Sequence, residues 1–236
     1  MGGFTSMLKK TDTNGFKGWI HEELDWSPAV SHIDELLKSI SAKGEQVLHC
    51  RGRDIYRIDL PFQGSPSSCF VYFFRNTSFS RSLKSPWPFK IMRISQKIRS
   101  LGFPSFEVLA ALRPADELRN RNSLLIAREI LDVRELPATG NHVYKVHETI
   151  PFSGKVTERT AIELARFHDA GLVHGDLKSR HVLFSGDPGD AGCLIYFVDL
   201  EKTGHCRLIP AIAKDILAAR DLIQPVSYTH LTLPTN

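Results

Sequence analysis

The sequence predicts an α+β protein in which a β-rich first half is followed by a more helical second half. Two observations carry this prediction. Residues 45–75 hold three short apolar runs separated by turn-forming stretches, which is the pattern of an antiparallel meander. Residues 157–170 carry apolar side chains at helical spacing, and Gly171 follows them as a stop signal. We therefore expect an antiparallel β-rich lobe followed by a mainly helical lobe.

The composition is that of an ordinary globular protein. The chain has 236 residues, with 30 Lys and Arg against 26 Asp and Glu, so its net charge is +4. No apolar run approaches the length of a membrane span. The 4 cysteines form no Cys-x-x-Cys pair, which argues against a zinc site and for a reducing compartment. These features predict a cytoplasmic protein.

The first half contains five predicted strands and one predicted helix. The strands are Glu45–His49, Asp54–Leu60, Cys69–Phe74, Phe106–Leu112 and Ser123–Ile130. The helix covers Lys90–Leu101, where isoleucines recur on one face, and it stops at Gly102. Strands, one helix and strands again make a small α+β lobe.

The second half has two predicted helices with short apolar runs between them. Thr157 is the predicted N-cap of a helix that reaches about Ala170. The last helix is predicted over Ile209–Ile223. The apolar runs are Leu172–His174, Val182–Phe184 and Leu194–Val198.

The end of the chain differs in character from the rest. Val226–Thr235 resembles the in-frame translation of a sequencing adapter, so we expect residues 226–236 to be a non-native tail. The helical lobe is then expected to be truncated near residue 225. We divide the chain into an N-terminal extension (1–44), a β-rich lobe (45–131), an incomplete helical lobe (132–225) and the tail.

The chemically active side chains are concentrated in a polar loop after the first helix of the second half. His174, Asp176, Lys178 and His181 follow the pattern His-Gly-Asp-Leu-Lys-x-x-His, and Asp199 follows a later apolar run. Each residue alone has an ordinary structural explanation in a turn or a core. In combination, they supply a carboxylate to orient a hydroxyl group, a lysine to neutralise phosphate charge and a carboxylate for magnesium.

This arrangement resembles the catalytic and metal loops of the protein-kinase-like fold. Two features resemble the lipopolysaccharide core kinases, the Kdo and heptose kinase family. They are the histidine five residues after Asp176 and the segment Val198-Asp199-Leu200. The resemblance implies a two-lobed kinase fold in which Asp176 and Lys178 are catalytic. It also implies that Asp199 and His181 are the metal-binding residues, with Mg²⁺ as the expected ion. Because imidazole is a poorer magnesium ligand than an amide oxygen, three roles stay open for His181: binding the metal through a water, holding Asp176 by a hydrogen bond, or favouring Mn²⁺.

The resemblance further implies an ATP site. Leu125–Ile130 resembles the strand that enters the kinase hinge, so the backbone at Glu129, Ile130 and Leu131 is expected to bind the adenine edge. The alternative is that Leu125–Ile130 is an ordinary core strand with no role in nucleotide binding. The lysine that kinases place on a β-strand near the phosphates is missing: Tyr72 stands about where it belongs, and the nearest cation is Arg75.

A long stretch of the first half is free of acidic residues. The 47 residues from Leu60 to Phe106 contain no Asp or Glu, so the helix in this stretch offers no glutamate to a phosphate-binding cation. We therefore expect Arg75, Lys84 or Arg93 to reach the α- and β-phosphates without a carboxylate partner. A chain that binds nucleotide weakly or not at all is the alternative.

The same stretch carries basic residues that favour an anionic partner. They are Arg75, Arg81, Lys84, Lys90, Arg93, Lys97 and Arg99. An anionic glycolipid fits this charge, with peripheral contact at the cytoplasmic face of the inner membrane through the aromatic residues Phe79, Trp87 and Phe89. A solvated basic helix face explains the pattern equally well. Nucleic acid is not expected, since no recognised binding module accompanies the charge.

Three functions remain open at this stage. The first is an ATP-dependent kinase for a hydroxyl on an inner-core sugar of lipopolysaccharide or a similar glycolipid of the bacterial envelope. The second is a kinase-like binding or scaffold protein without transfer activity. The third is a small-molecule or protein kinase of the same fold, although aminoglycoside and choline kinase relatives usually carry Asn where His181 stands.

Overall fold

The computed structural model describes residues 8–13, 15–26, 33–50, 52–75, 87–115, 122–136, 148–151, 153–205 and 221. The predicted last helix therefore lies outside the described residues except for Asp221, which is helical, and the predicted tail lies outside them entirely. The chain divides into two compact units. The first comprises residues 1–93 and 106–129, and the second comprises residues 94–105 and 130–236.

The first unit is built on a seven-stranded antiparallel sheet. Its strands are β1 (Leu8–Thr13), β2 (Phe16–His21), β3 (Glu45–Cys50), β4 (Arg53–Phe62), β5 (Ser65–Phe74), β6 (Val108–Pro114) and β7 (Ser123–Arg128). They lie in the order β1-β2-β6-β7-β5-β4-β3. All five predicted strands are present with shifted ends. The sheet also includes β1 and β2, which fall in the segment predicted as an N-terminal extension; the polar composition of β1 gives little strand signal.

Two helices pack on opposite faces of the sheet, the second of them through its residues 87–93, which belong to the first unit. The first, α1 (Ile33–Lys43), buries Leu36 and Ile40 in a core with one face. The second, α2 (Trp87–Ser100), buries Ile91 in a core with the other face. The predicted stop of this helix is confirmed, since Gly102 adopts a φ of +84°, which favours glycine.

The position of β5 in the sheet explains why its sequence is an unbroken apolar run. The strand lies between β7 and β4, so both of its edges are paired, and its two faces pack in two separate cores. Its side chains alternate between the α1-side core and the α2-side core: Cys69, Val71 and Phe73 on one, Tyr72 and Phe74 on the other. The Tyr72 ring lies 6.5 Å from that of Phe70 and 6.3 Å from that of Phe74. An aromatic row thus occupies the place where a kinase lysine was expected.

The second unit combines one long helix with short strands. These elements are β8 (Val133–Glu135), β9 (Glu148–Thr149), α3 (Gly154–Asp169), β10 (Leu172–Val173), β11 (Val182–Ser185), β12 (Leu194–Phe197) and β13 (Gly204–His205). One sheet has the order β12-β11-β8-β9, and β10 pairs with β13. Pairing of β11 with β12 and of β10 with β13 places the ends of two polar loops, residues 174–181 and 198–203, beside each other.

The predicted start of the long helix is wrong by one turn. Ser153, not Thr157, is the N-cap: its backbone is extended, and its Oγ accepts the N–H of Val156 at 3.3 Å. Thr157 lies in the first turn, where its Oγ1 donates to the carbonyl of Ser153. The predicted end is confirmed, with Ala170 at the C-cap and Gly171 at a φ of +80°.

Within the described ranges, no helix is both long enough and apolar enough to cross a bilayer.

Candidate active site

Backbone geometry fixes the loop that follows β10. Gly175 adopts a φ of +78°, and a Cβ at this position would lie 2.9 Å from the main-chain oxygen of Lys202. Both constraints select glycine. The loop is thus held close against the segment that follows Asp199.

A buried carboxylate holds the same loop from a distant part of the chain. Asp221 is fully buried, and it accepts the N–H of His174 at 2.7 Å and the N–H of Gly175 at 2.8 Å. The Nε2 of His168 on α3 lies 3.2 Å from the same carboxylate. Three donors therefore satisfy one buried charge, as a carboxylate in an apolar interior requires.

Asp176 lies in this loop, and two lysines contact one of its carboxylate oxygens. Its Oδ2 is 2.9 Å from the Nζ of Lys202 and 3.4 Å from the Nζ of Lys178. Burial acts to raise the pKa of Asp176, but the hydrogen bond from Lys202 and the charge of Lys178 outweigh it, so the pKa is lowered. Asp176 is an ionised carboxylate that can orient a hydroxyl group.

His181 links the loop of Asp176 to that of Asp199. Its Nδ1 is 2.9 Å from the main-chain oxygen of Asp176, so the proton on Nδ1 is donated there and Nε2 keeps its lone pair. Burial, the largest effect, lowers the pKa of His181 to about 4. Its Nε2 lies 3.5 Å from Oδ2 of Asp199. The Nε2 atom accepts the Nε–H of Arg180 at 3.4 Å and faces the carboxylate of Asp199.

A second histidine packs behind His181. The two rings stack with centroids 5.7 Å apart, and the Nε2 of His174 donates to the main-chain oxygen of Val198 at 2.7 Å. Burial lowers the pKa of His174, so it is neutral, and its buried Nδ1 has no hydrogen-bond partner. His174 therefore joins the two loops through their backbones.

Asp199 has a backbone conformation that non-glycine residues rarely adopt. Its φ is +62°, in the left-handed region, directly after the strand that ends at Phe197. Aspartate tolerates this conformation better than most residues. Such a turn aims the carboxylate away from the path of the strand, and here it faces His181.

Asp199 and His181 together fit a divalent cation whose remaining ligands come from the substrate. Among the residues that the structure describes, no group of three or more His, Cys, Asp or Glu side chains is placed to hold a metal ion. Magnesium in phosphate-transferring sites takes only one or two protein carboxylates and completes its shell with phosphates and waters.

In the first unit, Arg75 has a carboxylate partner, contrary to the sequence expectation. An Nη2 hydrogen of Arg75 is donated to Oδ2 of the fully buried Asp54 on β4, and His49 Nδ1 contacts the other oxygen. The main-chain N–H of Arg75 donates to the carbonyl of Gly52 at 2.9 Å, in the turn between β3 and β4. Arg75 thus anchors the turn between β3 and β4. The expectation failed because the partner comes from a paired strand instead of the helix.

The expected adenine-binding residues lie at the end of β7 and just beyond it. The N–H of Glu129 donates to the carbonyl of Ser68 at 2.9 Å, and its carboxylate pairs with Arg57 at 2.9 Å. Ile130 is half-buried, and Leu131 is 61% exposed. The boundary between the two units falls between Glu129 and Ile130. The N–H of Glu129 is therefore already engaged within the sheet.

Sequence reasoning missed three residues of these clusters: Asp54, Lys202 and Asp221. Lys202 follows Asp199 by three positions, a spacing that could have directed attention to it. Asp221 gave no local signal, because its partners lie 46–53 positions away along the chain, and the Arg75 that Asp54 holds lies 21 positions from it.

Comparison with known proteins identifies the family of this chain. The profile of the lipopolysaccharide kinase (Kdo/WaaP) family matches residues 71–216, more than half of the chain. No curated protein matches the chain. Among solved structures, WaaP in complex with acyl carrier protein aligns with 15% identity and a TM-score of 0.53, covering 83% of this chain and 73% of that one.

Protein kinases of other kinds are similar at a lower level. The BubR1 kinase domain has 12% identity and a TM-score of 0.45, covering 90% of this chain and 55% of that one. The PK-1 kinase of Cydia pomonella Granulovirus has 14% identity and a TM-score of 0.44, covering 73% and 58%. The fold is α+β and protein-kinase-like. The chain belongs to the lipopolysaccharide kinase (Kdo/WaaP) family, a family of phosphotransferases.

Proposed function

We propose that this protein transfers the γ-phosphoryl group of ATP to a hydroxyl group on an inner-core sugar of lipopolysaccharide or of a similar glycolipid. The observation that carries the proposal is the arrangement around Asp176. An ionised carboxylate contacts two lysines, and its main chain is joined through His181 to Asp199. Phosphoryl transfer needs mainly such positioning and neutralising charge.

Asp176 is the residue that we assign to the acceptor hydroxyl. Both lysine contacts go to its Oδ2, so we assign the hydroxyl to Oδ1. The carboxylate orients the hydroxyl oxygen toward the γ-phosphorus and takes its proton as the new O–P bond forms and the bond to the leaving ADP breaks. Because the pKa of Asp176 is lowered, its main contribution is orientation, with proton transfer late in the reaction.

Positive charge for the phosphates comes from several residues. We assign Lys178 to the γ-phosphoryl oxygens and Arg75, held by Asp54, to the α- and β-phosphates. Asp199 and His181 would hold the divalent cation, Mg²⁺ or Mn²⁺, which supplies further charge neutralisation when bound. The backbone beside Glu129, Ile130 and Leu131 is assigned to the adenine edge.

The partner that we propose is an anionic glycolipid reached from the cytoplasmic face of the inner membrane. The support is the composition of α2, which has no acidic residue and carries Lys90, Arg93, Lys97 and Arg99. A cationic helix of this kind favours an anionic surface. No role for nucleic acid is proposed.

Phosphate transfer to purified glycolipid with a truncated inner core tests the proposal. We expect transfer from labelled ATP with Mg²⁺, and a loss of about a thousandfold in Asp176→Asn and in Asp199→Asn. The matched control is Asp169→Asn, an exposed carboxylate at the end of α3, which should keep full activity.

Calorimetry with Mg²⁺ and ATP separates the alternatives. A folded chain that binds no nucleotide would support the scaffold alternative. A chain that binds ATP and phosphorylates an aminoglycoside or a protein, but no glycolipid, would support the third hypothesis and contradict ours.

A further inference from the structure

The loop that carries Asp176 alternates between buried and half-buried side chains. Three of its residues are buried: Leu177, Ser179 and His181. The residues between them, Asp176, Lys178 and Arg180, are half-buried, so they reach the solvent side of the loop. Arg180 is thus presented on the same side of the loop as the carboxylate of the candidate active site.

Arg180 differs from the two lysines of the site in its partners. Lys178 and Lys202 both contact the carboxylate of Asp176. Across the residues that the structure describes, Arg180 contacts no carboxylate, and its Nε–H is donated to Nε2 of His181 at 3.4 Å. This length exceeds the usual range of protein hydrogen bonds, and the acceptor is an uncharged nitrogen. The guanidinium is therefore weakly held.

The charge of Arg180 favours an anionic ligand. A charge that is partly removed from water is costly unless an opposite charge lies beside it. An arginine cannot avoid this cost by losing its proton. The Nη1 and Nη2 donors of Arg180 have no partner in the described part of the chain, since its one hydrogen bond there uses Nε. Their planar fork matches the two oxygens of a phosphate or a carboxylate.

The acceptor is the reactant that brings this anion. The nucleotide phosphates are already assigned cations, which are Lys178, Arg75 and the divalent ion. Arg180 follows Asp176 by four positions in one rigid loop, and Asp176 is assigned to the acceptor hydroxyl. An oxyanion near that hydroxyl would meet Arg180 as its cation.

We propose that Arg180 determines acceptor specificity by binding an oxyanion, a phosphate or a carboxylate, that the acceptor sugar carries close to its reacting hydroxyl group. This inference rests on the proposed function and narrows it, because it limits the acceptor to a sugar that is already acidic. A neutral sugar with the same hydroxyl is a poor acceptor. The γ-phosphate of ATP has the same chemistry, and the experiment distinguishes the two sources.

Binding of the acceptor without nucleotide tests the proposal in the full chain. The probe is purified glycolipid with a truncated inner core in detergent micelles. The reference is the same glycolipid after its phosphate esters are removed with hydrofluoric acid and its carboxylates are reduced to alcohols. In calorimetry, Arg180→Gln should weaken binding of the acidic glycolipid about tenfold and leave binding of the neutral reference unchanged.

Two further variants sharpen this measurement. Arg180→Lys should recover part of the affinity, because lysine keeps the charge and loses the fork. The matched control is Arg166→Gln, an exposed arginine of α3, which should bind both glycolipids as the original chain does. An unchanged melting temperature shows that each variant is folded. Equal losses with the acidic and the neutral glycolipid, equal losses in Arg166→Gln and Arg180→Gln, or no binding of either glycolipid by the original chain would overturn the proposal.

Kinetics separate the acceptor from the nucleotide as the source of the anion. Arg180→Gln should raise the KM for the acidic glycolipid about tenfold and leave kcat and the KM for ATP within about twofold. A rise in the KM for ATP alone would assign the anion to the nucleotide and overturn the proposal. Glycolipid binding that depends on Arg180 without phosphate transfer would refute the proposed function alone. Transfer together with binding that is indifferent to Arg180 would refute this inference alone.

Discussion

The two units of this protein use buried carboxylates for different purposes. In the second unit, Asp221 accepts two main-chain N–H groups and so fixes the path of a loop. In the first unit, Asp54 contacts the side chains of Arg75 and His49. A carboxylate bound to backbone makes a loop rigid whatever side chains the loop carries. A carboxylate that binds a side chain positions a single cation, and the same pairing can be formed by residues at other positions.

The largest effect expected from this difference is on stability. Asp221→Ala leaves two buried main-chain donors without an acceptor, so the free energy of unfolding should fall by about 4 kcal/mol. Urea unfolding measures this quantity. The exposed Asp169→Ala serves as the control and should change it little. A loss below about 1 kcal/mol for Asp221→Ala would show that the loop is held by other contacts.

Acid should weaken the second unit through its buried histidines. Burial lowers the pKa of His181 to about 4, and it also lowers the pKa of His174, whereas the unfolded chain protonates near the ordinary value of 6.5. Between these values the unfolded state binds more protons, so stability falls as the pH drops from about 6.5 toward 4. For His181 alone the loss is about 3 kcal/mol.

Thermal unfolding across this pH range, in metal-free buffer, checks the acid effect. His181→Asn should flatten the dependence. A melting temperature that stays constant between pH 6.5 and 4 would contradict the prediction.

Nucleotide affinity tests the role that we assign to Arg75 and Asp54 in the first unit. We expect Arg75→Gln to weaken Mg²⁺ and ATP binding about tenfold in calorimetry, and Asp54→Asn to weaken it by a similar factor because Arg75 loses its partner. The double variant should be no worse than either single one. Lys38→Gln removes an exposed cation of α1 and is the control. Equal losses for Lys38→Gln and Arg75→Gln would show that the effect comes from the overall charge of the chain.

The smallest effect concerns Lys202. Lys202→Met removes a hydrogen bond that lowers the pKa of Asp176, so burial should then raise that pKa. A base with a higher pKa is protonated at higher pH, and the acid limb of the kcat/KM profile should move upward in pH, with about a twofold loss at neutral pH. Lys155→Met, an exposed lysine on α3, should leave the profile in place.

The part of the fold and site that follows from local sequence was predictable. Alternation and apolar runs indicated the strands β3 to β7, and helical spacing indicated α2 and α3. Asp176, Lys178, His181 and Asp199 were identified as one group because short loops carry them. The strand β1 and the N-cap Ser153 were missed, since a polar edge strand has weak periodicity and a cap is decided by one hydrogen bond.

The sequence by itself determined the α+β class, the succession of elements and the loop chemistry that marks a phosphotransferase. These depend on residues close together in the chain, where spacing limits geometry. Only the tertiary structure decided that Asp221 anchors the loop that carries Asp176, and that Asp54 holds Arg75. Such contacts depend on strand register and packing between distant segments, which local spacing does not constrain.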